Sequence, residues 1–251
     1  MNASRPLEPD ESATSAGAED LATWAERLEA RSQELDQFGR VAAHDLRAPL
    51  RSIEAFTRLA LETENSDESS EYLDRVLDAV GRMRRLLDSL VAYADAEDAE
   101  LDVSITPLGE VVRAAMADLS VDIDESGAVI DVGPLPMVEC DPTQLRRVFT
   151  NVLSNSIRYT NPSPPRISIR GFEESDRVRV TVTDSGAGFP ADLTEEAFKP
   201  LRRLTSTGVG QGIGLSICRR IVNRHGGEMW AESEPGAGTT ISLTLPTTTA
   251  R

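Results

Sequence analysis

His44 is followed directly by Asp45 in the run Phe38-Gly39-Arg40-Val41-Ala42-Ala43-His44-Asp45-Leu46-Arg47-Ala48-Pro49-Leu50. Neutral imidazole is a nucleophile near neutral pH, and an adjacent carboxylate can accept the proton of one ring nitrogen. That fixes the tautomer and leaves the other nitrogen free to attack a phosphoryl group. Further along stands Asn151-Val152-Leu153-Ser154-Asn155. Residues four apart share a helix face, and amide oxygens are hard, neutral ligands suited to magnesium. Arg158 and Tyr159 extend the same face toward a phosphate, ribose or base. Asp184-Ser185-Gly186-Ala187-Gly188 comes next, an acid able to accept an exocyclic amine, with glycines that let a flat ring approach the backbone. Gly208-Val209-Gly210-Gln211-Gly212-Ile213-Gly214-Leu215 then leads into a helix, where backbone N–H groups and the helix dipole favour an anion. It lacks the Lys-Ser/Thr of a Walker A loop. Gly236-Ala237-Gly238-Thr239-Thr240 precedes the last apolar run. Each run has a plain explanation alone: a surface histidine, a solvated asparagine pair, a tight turn, a hairpin. Their order makes the case.

These residues need elements to hold them. Leu21, Trp24, Leu28, Arg31, Leu35, Phe38 and Ala42 alternate three and four apart, a coiled-coil seam interrupted once by Arg31. Ala42, Leu46, Pro49, Ile53, Phe56 and Ala60 continue the stripe, so one helix is predicted from 20 to 62. Two residues turn a helix by roughly 200°. His44, two residues from both Ala42 and Leu46, therefore points to solvent, beside a bend expected at Pro49. A turn over Thr63–Ser69 leads to a second helix with Tyr72, Val76, Val80, Met83, Leu87, Leu90 and Tyr93 on one face. Two such helices bury their seams by dimerising into a four-helix bundle. Ala94–Leu101 reads as a linker. Beyond it lie a helix over Pro107–Leu119, a capped helix from Asp141-Pro142-Thr143-Gln144 to Arg158, and strands over Arg166–Phe172 and Arg177–Asp184 about a Glu173–Asp176 hairpin. A helix over Gly212–His225 and strands over Glu228–Glu232 and Thr239–Leu245 complete the chain. The class is α+β: a helical hairpin followed by an α/β sandwich. The divisions are a disordered acidic tail at 1–20, the coiled coil and hairpin at 21–100, a nucleotide-binding domain at 101–247 and a short tail at 248–251.

A net charge of -16 argues against a nucleic-acid surface, which would be basic. No run of 18 apolar residues suggests a membrane span, and the N-terminus lacks an apolar signal core, so a cytoplasmic protein is expected. Cys140 and Cys218 lack metal-ligand spacing and read as buried, reduced thiols. Lys199 is the single lysine; an acidic, lysine-poor chain fits a salt-adapted organism or GC-rich coding. Such a charge opposes an anionic nucleotide, so any nucleotide site needs local cations.

The His44 run resembles the dimerisation and histidine phosphotransfer region of sensor histidine kinases. The four later runs resemble the N, G1, G2 and G3 boxes of the ATPases that include histidine kinases, DNA gyrase, mismatch-repair ATPases and a heat-shock chaperone. Ala197-Phe198-Lys199-Pro200-Leu201-Arg202-Arg203-Leu204 resembles the F box of the mobile lid, and its Phe198-Lys199-Pro200 with Arg203-Leu204 is similar to the phytochrome-like group. The resemblance implies an ATP-dependent kinase that phosphorylates His44, with Asp45 as base, and passes the phosphate to the receiver domain of a response regulator. It implies that Asp184, Gly186 and Gly188 meet adenine, that Asn151 and Asn155 organise Mg2+ and phosphates, and that Arg158 stands where the family usually has lysine. Gly210, Gly212 and Gly214 would let the lid close over the phosphates, Leu215 and Thr239 would join the ATP-binding residues, and Arg203, then Lys199 and Arg202, would reach the γ-phosphate. A homodimer is implied; the signal would come from a separate sensor protein or from a larger design of which this chain is the kinase core. Three positions depart from the pattern. Ala48 stands where members that dephosphorylate their partner carry Thr, Asn or Gln, which implies little phosphatase activity. Leu201 replaces a second aromatic, and Gln211 replaces a Thr. The rival readings are a catalytically inactive nucleotide-binding dimerisation scaffold and a gyrase-like ATPase, the latter disfavoured by the histidine run.

Overall fold

The computed structural model describes residues 42–98, 100–160, 164–202 and 212–247, together with Gly39 and Leu204. The coiled-coil seam before Gly39, both tails, Arg203 and Gly210 lie outside the described residues.

Helix α1 covers residues 42–62 and runs unbroken through Pro49. It turns at 63–65 into α2, Ser66–Asp98. The turn is shorter than expected because Asn65 caps α2: its Oδ1 accepts the N–H of Asp67 at 3.0 Å. Glu68 reaches back to accept from the Asn65 amide and the Thr63 hydroxyl. At the far end α2 runs to Asp98, through most of the stretch read as linker. The inward face of α1 carries the predicted stripe, with Ala42 buried and Leu46, Pro49, Ile53, Phe56 and Ala60 partly so. In α2 the inward residues are Tyr72, Val76, Ala79, Met83, Leu86 and Leu90. Val80 and Leu87, expected inward, are exposed and belong to a second stripe with Leu73, Leu77 and Val91. Phe56 stacks on Tyr72 at 6.2 Å between ring centroids, and the Arg75 guanidinium lies over Phe56.

The second unit is an α/β sandwich. Its elements are β1 (Ser104–Pro107), α3 (Leu108–Asp118), α4 (Ser120–Ser126), β2 (Val129–Val132), β3 (Met137–Cys140), α5 (Pro142–Arg158), β4 (Arg166–Glu173), β5 (Arg177–Asp184), two short 3-10 turns (Ala191–Leu193 and Glu196–Phe198), α6 (Gly214–Arg224), β6 (Met229–Glu234) and β7 (Gly238–Pro246). Five strands form one sheet in the order β2-β4-β5-β7-β6, parallel between β2 and β4 and antiparallel elsewhere. β1 and β3 form a separate antiparallel pair. Strands β1 to β3 and the short α4 are additions to the sequence reading. Strands of four residues are too short to show alternation. Pro107 ends β1 and serves as N-cap of α3, so that helix begins at Leu108.

The core forms where α5 and α6 lie on the sheet. Leu145, Val148, Phe149, Val152 and Leu153 form one face of α5 and are buried against Ile217, Ile221 and Val222 of α6 and Val178, Val180 and Val182 of β5. The opposite face of α5 is left to line a cleft. Asp141 caps α5 by accepting from the N–H groups of Thr143 and Gln144. The Gln144 side chain does not bond back to the Asp141 N–H, which donates instead to Nε2 of buried His225 at 3.0 Å. His225 must then carry its proton on Nδ1, which faces the Ile221 carbonyl at 2.8 Å. This ties the end of α6 to the start of α5. Cys140 and Cys218 are fully buried free thiols, and burial pushes them up to about 11 and about 12. Among the described residues no helix is long and apolar enough to cross a membrane.

Candidate active site

The exposed face of α5, the end of β5, the start of β7, the segment after Glu196 and the start of α6 enclose a cleft of about 1010 Å³. That lies at the upper end for small-ligand sites, enough for a nucleoside triphosphate. Asn151, Asn155, Arg158, Tyr159, Asp184, Gly188, Arg202, Gly212, Gly214, Leu215 and Thr239 all line it, although they come from distant parts of the chain. Helical periodicity brings the first four together, because the apolar residues of α5 turn them outward.

Asp184 ends β5 at the floor of the cleft. Its Oδ1 accepts from the N–H of Gly186 at 2.9 Å and the N–H of Thr239 at 3.1 Å, and its Oδ2 accepts from the Ser156 hydroxyl at 3.0 Å. Burial raises the pKa of Asp184, and these three bonds oppose the rise. Gly186 lies so close to the carboxylate that a Cβ would sit 2.8 Å from Oδ1. Gly188 has φ 60, and a Cβ there would meet the Glu234 carbonyl. The G1 and G3 runs therefore meet around one carboxylate. Ser156 was not among the candidate residues. Its only sequence signal is its place beside Asn155, and the contact it makes crosses from α5 to β5.

Another wall of the cleft is formed by the start of α6. Its first residue, Gly214, faces Asn151, whose Oδ1 lies 3.4 Å from the Cβ that Gly214 lacks. Ile213 caps α6 without a side-chain bond, so the first-turn N–H groups at Gly214 and Leu215 border the cleft. Among the described residues, the cations lining the cleft are Arg146, Arg147, Arg158 and Arg202. Arg146 is committed to Asp118, which it holds below the usual carboxylate range. Arg202 pairs with Glu196 at 3.1 Å. Lys199 lies outside the cleft lining and also pairs with Glu196. Phe198 of the F run is buried against α6, with the Arg219 guanidinium 3.8 Å from its ring centre. Arg219 grips Glu195 through both carboxylate oxygens at 2.8 and 3.1 Å. Leu201, at the departure from the usual aromatic, is buried in the left-handed region at φ 61.

His44 is on the hairpin, with a side chain 76% exposed. Its Nδ1 lies 3.2 Å from Oδ1 of Asp45, so the contact to the neighbouring carboxylate is made by Nδ1 and not by Nε2. His44 does not line the cleft, whereas Asp88 of α2 does, so the hairpin borders the cleft at its other helix.

Two family models match the chain. The His Kinase A (phospho-acceptor) domain covers residues 34–99, and the histidine kinase-, DNA gyrase B- and HSP90-like ATPase covers residues 140–249. The phytochrome-like protein Cph1 of Synechocystis is 34% identical over 235 residues, 91% of this chain and 31% of that protein. The adaptive-response sensory kinase SasA of a Synechococcus is 34% identical over 250 residues, 88% of this chain and 62% of that protein. The chain thus spans under a third of the length of the phytochrome relative. Among solved structures, the histidine kinase ThkA in complex with the response regulator TrrA shares the fold, with a TM-score of 0.72 at 24% identity over 91% of this chain and 67% of that one. With a phospho-acceptor domain followed by an ATPase domain of this type, the chain belongs to the histidine kinases of two-component systems.

Proposed function

We propose that this protein is an ATP-dependent kinase that phosphorylates His44 and then passes the phosphoryl group to an aspartate in the receiver domain of a response regulator. The observation that carries the reading is one chain holding an exposed histidine in contact with the next carboxylate and a separate cleft lined by a triply held carboxylate.

In this reading Asp184 accepts the exocyclic amine of adenine, and the start of α6 with Arg158 receives the phosphates. Asn151 and Asn155 suit a magnesium ion held jointly with phosphates and water, since no cluster of acidic, histidine or cysteine ligands occurs among the described residues. When bound, that ion neutralises charge on the β- and γ-phosphates. Nε2 of His44 attacks the γ-phosphorus, a bond forms from Nε2 to phosphorus, and the bridging bond to the β-phosphate breaks, releasing ADP. The Nδ1 proton passes to Asp45. Because His44 lies outside the cleft lining, transfer requires the ATPase domain to shift against the hairpin or to serve a second copy. The exposed stripe of Leu73, Leu77, Val80, Leu87 and Val91 supports a homodimer built on the hairpin. A cytoplasmic location fits this role.

Purified protein incubated with γ-labelled ATP and magnesium is expected to gain acid-labile, alkali-stable label. The label should be absent from His44→Ala and from Asn155→Ala. ATP binding without label would favour the inactive scaffold.

A further inference from the structure

An ionised carboxylate offers about four acceptor sites, two on each oxygen. In Asp184 both sites on Oδ1 are taken by the N–H groups of Gly186 and Thr239. One site on Oδ2 is taken by the Ser156 hydroxyl. The oxygen left with capacity for a ligand N–H is therefore the one Ser156 bonds. Ser156 itself is 4% exposed and lies on α5 where its core face meets the cleft. A serine inside a helix commonly satisfies its hydroxyl on the carbonyl one turn back; this one reaches across to the end of β5.

We propose that Ser156 is a positioning residue for base recognition: its hydroxyl fixes Asp184 so that a single remaining acceptor on Oδ2 meets the exocyclic amine of the bound purine. This rests on the nucleotide reading of the cleft and extends it to Ser156, to which the sequence reading gave no role. The bond has a second consequence. Because Oδ1 already accepts two N–H groups, a proton on Asp184 would sit on Oδ2 and turn the oxygen that meets the amine into a donor, and burial favours that protonated form. The Ser156 bond is one of three interactions that counter burial, so its loss raises the pKa of Asp184 further and moves the acid limit of nucleotide binding to higher pH.

The test is calorimetric titration of the full chain with ATP and magnesium between about pH 5 and 8. It is repeated with purine riboside triphosphate, which lacks the exocyclic amine. Ser156→Ala should bind ATP about fivefold to tenfold more weakly at neutral pH, the size of one lost hydrogen bond. Its acid limit should lie at higher pH, its affinity for the amine-free nucleotide should change little, and its melting temperature should stay near that of the parent. Ser156→Thr, which keeps the hydroxyl, should recover ATP affinity. If the alanine variant fails to fold, Ser156→Cys, a closer fit with a weaker donor, should show the same pattern in smaller degree. Equal ATP affinity and pH profile in parent and variant, or an equal loss for both nucleotides, would overturn the role of Ser156 while leaving the cleft a nucleotide site. A parent protein that binds no ATP would overturn the nucleotide reading, and this inference with it.

Discussion

The ATPase domain and the hairpin bury their apolar residues to very different extents. In the domain, α5 and α6 turn their apolar faces onto the sheet, and Leu145, Phe149, Leu153, Ile221, Leu243 and Leu245 are fully or almost fully buried within one chain. In the hairpin, α2 carries two apolar stripes, and only one of them meets α1. Leu77 is 67% exposed and Val91 60%. An apolar helix face of that kind is costly to leave in water, and in the proposed homodimer the same stripe of a second copy covers it. The cleft is built mostly within the ATPase domain, with Asp88 of the hairpin at its border, whereas the second stripe of the hairpin is left for the association proposed above. In the proposed reading, the phospho-accepting His44 stands on the half with the exposed stripe, and the cleft lies mainly in the other half.

Substitutions can break that division at chosen places. The largest effect is expected from His44→Ala. The histidine is exposed and packs against nothing in the core, so the variant should fold, dimerise and bind ATP as before while all label from ATP disappears. Retained label would move the phosphorylation site elsewhere.

Asp184→Asn attacks the other half. The amide can keep its oxygen toward the N–H groups of Gly186 and Thr239, which puts its NH2 donor where Oδ2 accepted, so the charge-assisted bond to the ligand amine is lost and donor faces donor. ATP affinity should fall about 100-fold, in keeping with about 1.5–3 kcal/mol for a hydrogen bond to a charged group. Sedimentation should show the dimer intact. Leu77→Glu is the mirror experiment. It places a charge in the exposed stripe of each copy, and a fully buried leucine contributes about 1.5–3 kcal/mol. The dimer should weaken at least about 100-fold with ATP binding preserved. A Leu77→Glu dimer as tight as the parent would show that the second stripe faces something other than its own copy.

What could be read beforehand divides along similar lines. The inward stripe of α1 was legible because a single period of three and four has only one solution there. In α2 the residues at 72, 73, 76, 77, 79, 80, 86 and 87 satisfy that period twice, so the sequence offers two interleaved stripes. Only the position of α1 tells which one is inside. The capped start of α5 and the alternation of β5 were plain, since each is a local rule. β2 and β3 were not, because four residues carry no period and their pairing is set by β4 and β1. In the cleft, motif spacing named the carboxylate and the asparagines. It did not name Ser156, whose role depends on a contact 28 positions away in the chain.

The smallest expected effect lies near the join between hairpin and domain, since α6 is the helix of the ATPase unit that α2 packs against. Arg219 of α6 stacks on Phe198, grips Glu195 and donates to the Met229 carbonyl. It ties the segment that carries Lys199 and Arg202 to the helix whose first turn would hold the phosphates. Glu195 is held below the usual carboxylate range chiefly by its hydrogen bonds to Arg219. Both ends of the pair meet solvent, so the ion pair is worth at most about 1 kcal/mol and the stacking a similar amount. Arg219→Ala should lower the melting temperature by only a few degrees, about 2–4 °C per kcal/mol at this chain length. Its clearer signature should be kinetic: the ATP concentration for half-maximal labelling should rise severalfold while the rate at saturation changes little, because the segment is loosened but no group on His44 or Asp184 is removed. Arg219→Lys keeps the charge and loses the flat stacking face, so it should fall between the two. If the lysine variant matches the parent, the charge pair with Glu195 holds the segment; if it matches alanine, the stacking on Phe198 does.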